Sequence, residues 1–379
     1  MTVDLQKKAA AEPADSHAAA PHRRVWWTFV GAAAILTFAA VSFLPGLNTA
    51  GRYGLKVYGS FWASGWAARN HLNPYGTYPL TWVFPFQSHK VVDLNLSPPA
   101  MLPLFEALTL LDPNVGAKVW TVLSLLLFLG SAALLTREYE KHVQHRQILW
   151  VMLGPAVLNT LWLGQDYSLF VALAVAAWVL LERDRELPAG VALGVLIAFK
   201  PNYALWIVLL ALIGRWRSSA MAVAVGAALS ALPVALYGRG VYGEWMRAVA
   251  SDPHWFFPNE VSISGFARHL GAPLAGTIVS ALLVLASCAV VLWKRPSLRD
   301  TSSLALSVGM LASPIAWFHY ALLMAGPLFR ERWGIALTMA LFCLVLPWGG
   351  LFYFVPLCCV MGYFFWRCGE TSLRTDQVV

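Results

Sequence analysis

Between Asp15 and Asp93 the chain has no Asp or Glu, so Asp93, in Val92-Asp93-Leu94-Asn95-Leu96-Ser97-Pro98-Pro99, is the lone carboxylate of a long stretch ahead of an apolar run. A carboxylate at a lipid-water boundary can take the proton of an attacking hydroxyl, because partial burial raises its pKa toward a useful range. Asp, Asn and Ser also cap helices, and proline suits a first helical turn. The segment is therefore open to both readings, base and cap. His319, in Ser313-Pro314-Ile315-Ala316-Trp317-Phe318-His319-Tyr320, sits at the junction of two apolar runs. An imidazole there can donate to a phosphate or a sugar hydroxyl, or bond a neighbouring carbonyl at the interface. Lys200 stands near the centre of the apolar segment 188–213. A charge at such depth costs at least about 2.5–3.5 kcal/mol, so it needs a partner or must snorkel. A phosphate is one partner of the right sign. Gln165 and Asp166, in Leu163-Gly164-Gln165-Asp166-Tyr167-Ser168, form a polar knot between two short apolar segments, which either faces a site or turns the chain.

These residues are embedded in a very apolar chain. Of 379 residues, 59% are hydrophobic and 12% charged, whereas soluble domains carry about 25% charged residues. Apolar runs of bilayer length recur from Val25 to Trp366, which excludes an ordinary cytosolic enzyme. Stretches such as Val25 to Leu44 lack the polar-apolar alternation of a membrane β-barrel. The net charge of +8 is gathered in short clusters between apolar runs: Arg23-Arg24, Arg215 with Arg217, Lys294-Arg295, and Arg330 with Arg332. Such clusters set topology and make no contiguous basic face, so no nucleic-acid partner is expected. The five cysteines show no disulfide framework and no CxxC pattern.

The fold class expected is an all-α polytopic membrane protein with about twelve transmembrane or re-entrant helices. The segments fall near 25–44, 98–111, 117–136, 147–163, 167–182, 188–213, 219–237, 273–293, 302–316, 319–329, 333–348 and 350–366. Residues 1–24 form a disordered cytoplasmic tail, 25–366 a single transmembrane domain, and 367–379 a cytoplasmic C-terminal tail. Segment 98–111 is short, and 188–213 is interrupted at Lys200-Pro201, because proline removes a helix hydrogen bond. If the first is re-entrant and the second a V, the connections at 137–146 and 164–166 swap sides.

Two long outer loops, 45–97 and 238–272, exceed what tightly joined helices need and are expected to carry function. In the first, Val57-Tyr58, Phe61-Trp62, Gly65-Trp66 and Leu72 recur at helical spacing and suggest an amphipathic helix on the membrane surface, ending in the turn Asn73-Pro74-Tyr75-Gly76. The second offers Trp245, Asp252, His254, Trp255, Asn259, Glu260 and Arg268, the mixture of flat rings and polar groups that sugars bind. No DxD, HExxH or clustered His/Asp pattern occurs in these loops, so no metal is expected.

Taken in order, Asn73-Pro74-Tyr75, Asn95-Leu96-Ser97-Pro98-Pro99, Gly164-Gln165, Gly190 and Gly194 leading to Lys200-Pro201, Ser262-Ile263-Ser264-Gly265, and Ser313-Pro314 with Trp317, His319 and Tyr320 resemble glycosyltransferase family 87 over roughly residues 50–330. The resemblance implies a C-type glycosyltransferase fold. Such enzymes transfer a sugar, for example a mannosyl or pentosyl unit, from a polyprenyl-phosphate donor to a lipid or glycan acceptor at the outer face, with inversion and without a cofactor. It implies His319 as a site residue and Lys200 and Gln165 as donor contacts. Asn95, Tyr58, Asn73, Tyr75, Glu260 and Arg268 join them as candidate substrate contacts. Family members carry an Asp about twenty residues before the Asn-Pro-Tyr turn, where this chain has Gly54. The base then falls to Asp93 or to a carboxylate within 244–260. The expectation is a bacterial inner-membrane transferase with its site facing outside. A lipid-linked-sugar flippase and a non-catalytic assembly subunit are the rival readings.

Overall fold

The computed structural model describes residues 56–86, 89–139, 155–252, 260–330 and 351–375. The expected tail at 1–24, the spans at 25–44 and 333–348, and Gly54, His254, Trp255 and Asn259 lie outside the described residues.

Among the described residues, three helices are long and apolar enough to cross a bilayer: α3 (Pro113–Tyr139), α8 (Trp216–Tyr237) and α11 (Pro273–Lys294). At 1.5 Å per residue, the 22 residues of α8 or α11 reach about 33 Å, against a hydrocarbon thickness of about 30 Å. Around them stand α1 (Lys56–Arg69), α2 (Leu102–Leu108), α4 (Pro155–Leu163), α5 (Tyr167–Glu182), α6 (Glu186–Phe199), α7 (Ala204–Leu212), α9 (Val241–Ser251), α10 (Ile263–His269), α12 (Leu298–Leu311), α13 (Ala325–Arg330) and α14 (Leu351–Thr375). The segment expected at 98–111 is a 3-10 turn, Pro99–Met101, followed by the 7 residues of α2, too short to span. Helix α14 continues past 366 as far as Thr375, with Cys368 buried.

One expectation needs correction, and the outer loop holds an element not expected from the sequence: β1 (Trp82–Phe86) and β2 (His89–Asp93) pair antiparallel, with Trp82 opposite Asp93 and Phe84 opposite Val91. Residues two apart on a strand share a face, as do directly opposed residues, so Trp82, Phe84, Val91 and Asp93 lie on one side of the hairpin. The correction is to helix α1, which differs from a surface amphipath. Tyr58, Gly59, Ser60, Phe61, Ala63, Ser64, Gly65, Ala67 and Ala68 are all buried. Its small residues let it lie against α2, where Phe61 stacks on Phe105 with ring centroids 4.6 Å apart.

The break at Lys200-Pro201 is present and makes a V. Helix α6 ends at Phe199, a 3-10 turn spans Pro201–Tyr203, and α7 leads back. Arg215, after α7, pairs with Asp184 at 2.8 Å and with Glu186 at 3.1 Å, before and at the start of α6. The outer ends of the two arms are thus bound together, and Lys200 occupies the apex. The charged groups collect at the end away from that apex. Glu182 forms an ion pair with Arg299 at 2.9 Å, and buried Asp300 accepts from Arg330 at 3.1 Å. Ser297 caps α12 by accepting from the Asp300 amide.

The V is held in place by close packing of α6 on α8. A Cβ on Gly194 would stand 2.6 Å from Val225 Cβ and 2.8 Å from the Ala222 carbonyl oxygen, so only glycine permits this approach. Gly194→Val is therefore expected to destabilise the protein by about 1–3 kcal/mol through overpacking. Gly130, on α3, has open space where a Cβ would go, and Gly130→Ala is expected to leave stability unchanged or slightly raised. Thermal unfolding of both variants in lipid nanodiscs checks the contrast.

Candidate active site

The connections at the apex end converge. The end of β2, the segment 94–98, the α4–α5 turn, the α6–α7 break, Asp252 after α9 and residues 315–320 line a cavity of about 410 Å³. Val57, Phe61, Leu96, Trp162, Phe170 and Phe199 make its walls apolar, while Asp93, Gln165, Asp166, Lys200, Asp252 and His319 bring charge and hydrogen-bonding groups to it.

Lys200 is half-buried in a cage of three rings and one hydroxyl. Its Nζ donates to the Tyr320 hydroxyl and lies 4.3 Å from the Tyr320 ring centroid, 5.2 Å from that of Tyr167 and 5.8 Å from that of Phe170. Aromatic faces attract a cation, most strongly where water is excluded. Asp166, only 5% exposed, adds the opposite charge. Burial pushes its carboxyl above the ordinary range, while Lys200 and a hydrogen bond from Ser97 Oγ, 3.1 Å from Oδ2, pull it back.

Asp93 differs. Its Oδ2 is closed off from solvent and accepts no hydrogen bond. Burial raises its pKa from the ordinary value to about 7, and the negative charge of Asp252 adds to the rise. The two carboxylates in one cavity thus have different roles available: Asp166 accepts from a hydroxyl and feels the charge of Lys200, whereas Asp93 Oδ2 has no donor and can take a proton. His319, 2% exposed, packs edge-on against Tyr167 at 4.2 Å between ring centroids.

The turn that presents Gln165 and Asp166 depends on Gly164, whose φ of +70° suits glycine. Trp120 Nε1 donates to the Gly164 carbonyl at 3.0 Å, and a Cβ there would strike Tyr58 Cβ at 2.7 Å. Tyr58, 1% exposed, therefore buttresses the turn and is not among the lining residues.

Of the ten residues singled out in the sequence, the structure brings Asp93, His319, Lys200 and Gln165 to the cavity. The other six are not among its lining residues. Asn73 Oδ1 accepts from the Tyr75 amide at 2.9 Å, making an Asx turn, and the Tyr75 hydroxyl donates to the Ser97 carbonyl at 3.1 Å. Asn95 donates to Ser64 at 2.8 Å and accepts from the Ser97 amide at 2.9 Å. These three brace the strand that leaves Asp93. Glu260 is buried, accepts from the Ser262 hydroxyl at 2.6 Å and forms a bridge to Trp317. Arg268 is exposed in the last turn of α10.

Several lining residues carried little weight in the sequence. Asp166 had a signal, a carboxylate between two apolar helices, but a chain-turning role looked equally good. Trp82 and Phe84 could have been found from their alternation with Val83, had Pro85 not argued against a strand.

A bundle with three membrane-length helices that gathers carboxylates, a cation, an imidazole and rings in one cavity is a membrane protein equipped for chemistry on a polar group. The model of glycosyltransferase family 87 matches residues 95–316, more than half of the chain, and the chain belongs to that family. It is accordingly a membrane glycosyltransferase. Comparison with curated proteins and with solved structures returned no match. The matched region holds Gln165, Asp166 and Lys200, begins two residues after Asp93 and ends three before His319.

The Asp93 carboxyl is expected to titrate with a midpoint near pH 7. Difference infrared spectroscopy reads this as loss of a protonated-carboxyl band that is absent in Asp93→Asn. In Asp252→Asn the midpoint should fall, because removing a neighbouring negative charge favours the ionised form. An unchanged midpoint would show that Asp252 does not act on Asp93.

Proposed function

We propose that this glycosyltransferase takes its sugar from a polyprenyl-phosphate donor and passes it to a lipid or glycan hydroxyl, with inversion, at the periplasmic face of a bacterial inner membrane. The observation that carries this reading is the presence, in one apolar-walled cavity, of an enclosed carboxylate without a hydrogen-bond partner, Asp93, and a caged cation, Lys200.

The apolar wall suits a prenyl chain, and Lys200 suits the phosphate that joins it to the sugar. The acceptor oxygen forms a bond to the anomeric carbon while its proton passes to Asp93. On the opposite face the bond from that carbon to the phosphate oxygen breaks, and its electron pair leaves with the phosphate. Charge builds on that oxygen as the bond lengthens, where Lys200, with His319 and Gln165 beside it, stabilises it. The rings around Lys200 hold the cation without consuming its charge, so it remains available to an incoming anion. Sidedness is supported by Arg215, Arg217, Lys294, Arg295, Arg299 and Arg330, at the α7–α8 and α11–α12 connections and the end of α13. Basic connections mark the cytoplasmic side, and the cavity lies at the other ends of α5, α6 and α7.

The test is transfer by the purified protein in nanodiscs, given radiolabelled polyprenyl-phosphate hexoses and pentoses and a membrane extract. Asp93→Asn should lower the rate by about 10²–10⁴-fold, whereas full activity would remove Asp93 from the chemistry. Lys200→Ala should raise the donor concentration for half-maximal rate. For the wild type, kcat/KM should rise with pH, reach half its plateau near pH 7, and stay high above it, because the base must be ionised in the free enzyme.

A further inference from the structure

We infer that Asn159, on α4, determines which donor is used, its carboxamide hydrogen-bonding a hydroxyl of the sugar that is to be transferred. The inference rests on the donor reading proposed above, in which the sugar hangs from the phosphate that Lys200 takes.

Helix α4 reads Pro155-Ala156-Val157-Leu158-Asn159-Thr160-Leu161-Trp162-Leu163, apolar but for two adjacent polar residues. The fold treats those two differently. Thr160 is buried and donates its hydroxyl to the Ala156 carbonyl at 2.8 Å, one turn back along its own helix. Thr121 and Ser131 do the same on α3, toward Ala117 and Leu127. Asn159 is half-buried and lines the cavity, with Trp162 and Leu163 three and four residues further along the same helix face. Its carboxamide makes no hydrogen bond with the described residues. An amide among apolar side chains is costly unless something satisfies it. A polar group kept on an apolar membrane helix without a structural partner therefore points to a ligand.

Chemistry and position together name that ligand. Of the donor's three parts, the prenyl chain offers no hydrogen-bonding group and the ionised phosphate only accepts, whereas a sugar hydroxyl both donates and accepts, as a carboxamide does. Helix α4 belongs to the cation's side of the cavity. It runs into the Gly164 turn that presents Gln165 and Asp166, and α5 beyond that turn brings Tyr167 and Phe170 to the cage around Lys200. Asp93 comes instead from the hairpin. Asn159 stands four residues before the end of α4, about 6 Å along its axis, so it faces the cavity at a different height from Gln165. A sugar whose phosphate is held at Lys200 thus meets one amide at the turn and a second on the wall. A sugar without the matching hydroxyl leaves the second amide unsatisfied, and sites built to bond a hydroxyl reject such analogues most strongly.

Transfer in nanodiscs, with saturating membrane extract and a panel of radiolabelled polyprenyl-phosphate sugars, first gives the sugar that the wild type prefers. Asn159→Leu is then compared with wild type on that donor and on its monodeoxy analogues. For the preferred donor, kcat/KM should fall about tenfold or more in the variant, while the extract needed for half-maximal rate stays the same. One deoxy analogue should be used equally by variant and wild type, because the interaction is already missing from it. Thermal unfolding without substrate should be unchanged or shifted upward in the variant, since no contact within the protein is lost. Asn159→Ala, expected to act in the same direction on transfer, takes the place of Asn159→Leu should that variant not fold. Donor kinetics indifferent to the substitution, an equal loss with the preferred donor and every analogue, or a change confined to the extract dependence would overturn the role of Asn159 alone. No transfer by the wild type from any polyprenyl-phosphate sugar would overturn the donor reading and this inference together.

Discussion

A cation seated between two apolar helices must be answered by its surroundings, and the apex end of this protein is arranged around that requirement. Lys200 ends α6 because proline follows it and the chain must leave the helix there. The break frees backbone groups and points the chain back along α7. Three rings and one phenolic hydroxyl then gather about the ammonium group. None of these partners is adjacent to Lys200 in sequence. They come from α5 and from residues 318–324, so meeting the charge draws these elements to one place.

The other half of the cavity follows a different physical rule. Asp93 is carried by a hairpin, where period and register determine direction, and the hairpin is held against α1 by hydrogen bonds through Ser60. The extended segment after it is braced by Asn95, Tyr75 and the Trp245 indole, which donates to the Leu96 carbonyl at 2.9 Å. Helices hold the cation and a braced loop holds the carboxylate. Their separation depends on the packing of α1 against α2 and on the Gly164 turn, since each supports one side of the gap.

This division explains what could be read from the amino-acid order. Long apolar runs, the break at Lys200-Pro201 and the basic connections are one-dimensional signals, because each depends on composition or on a single proline. The roles of Asn73, Tyr75 and Asn95 were not legible. A polar side chain in a loop has the same appearance whether it meets a substrate or a neighbouring carbonyl, and here Asn73 and Tyr75 serve the backbone. Tyr58 shows the same limit, as an interfacial aromatic in sequence and a buried strut in three dimensions. The hairpin was hidden by Pro85 and by helical spacing nearby. The effect of Lys200 on Asp166 was invisible because it joins residues separated by the two helices α5 and α6.

Leaving Asp93 Oδ2 enclosed without a donor opposes folding, since a buried polar atom without a hydrogen bond costs about 1–3 kcal/mol. The sign of its linkage to pH follows from the raised pKa. The folded state binds the proton more tightly than the unfolded chain does, so this contribution to stability is complete below the ordinary Asp range and is lost as pH rises through about 7. A structural cap would avoid that loss by giving the carboxylate a hydrogen-bond donor, as Ser97 does for Asp166. The hairpin instead holds Asp93 by its backbone alone, through Ser60, and leaves the side chain unengaged. In the proposed transfer an acceptor hydroxyl supplies the donor that Asp93 Oδ2 lacks, so binding completes that interaction and proton transfer consumes it.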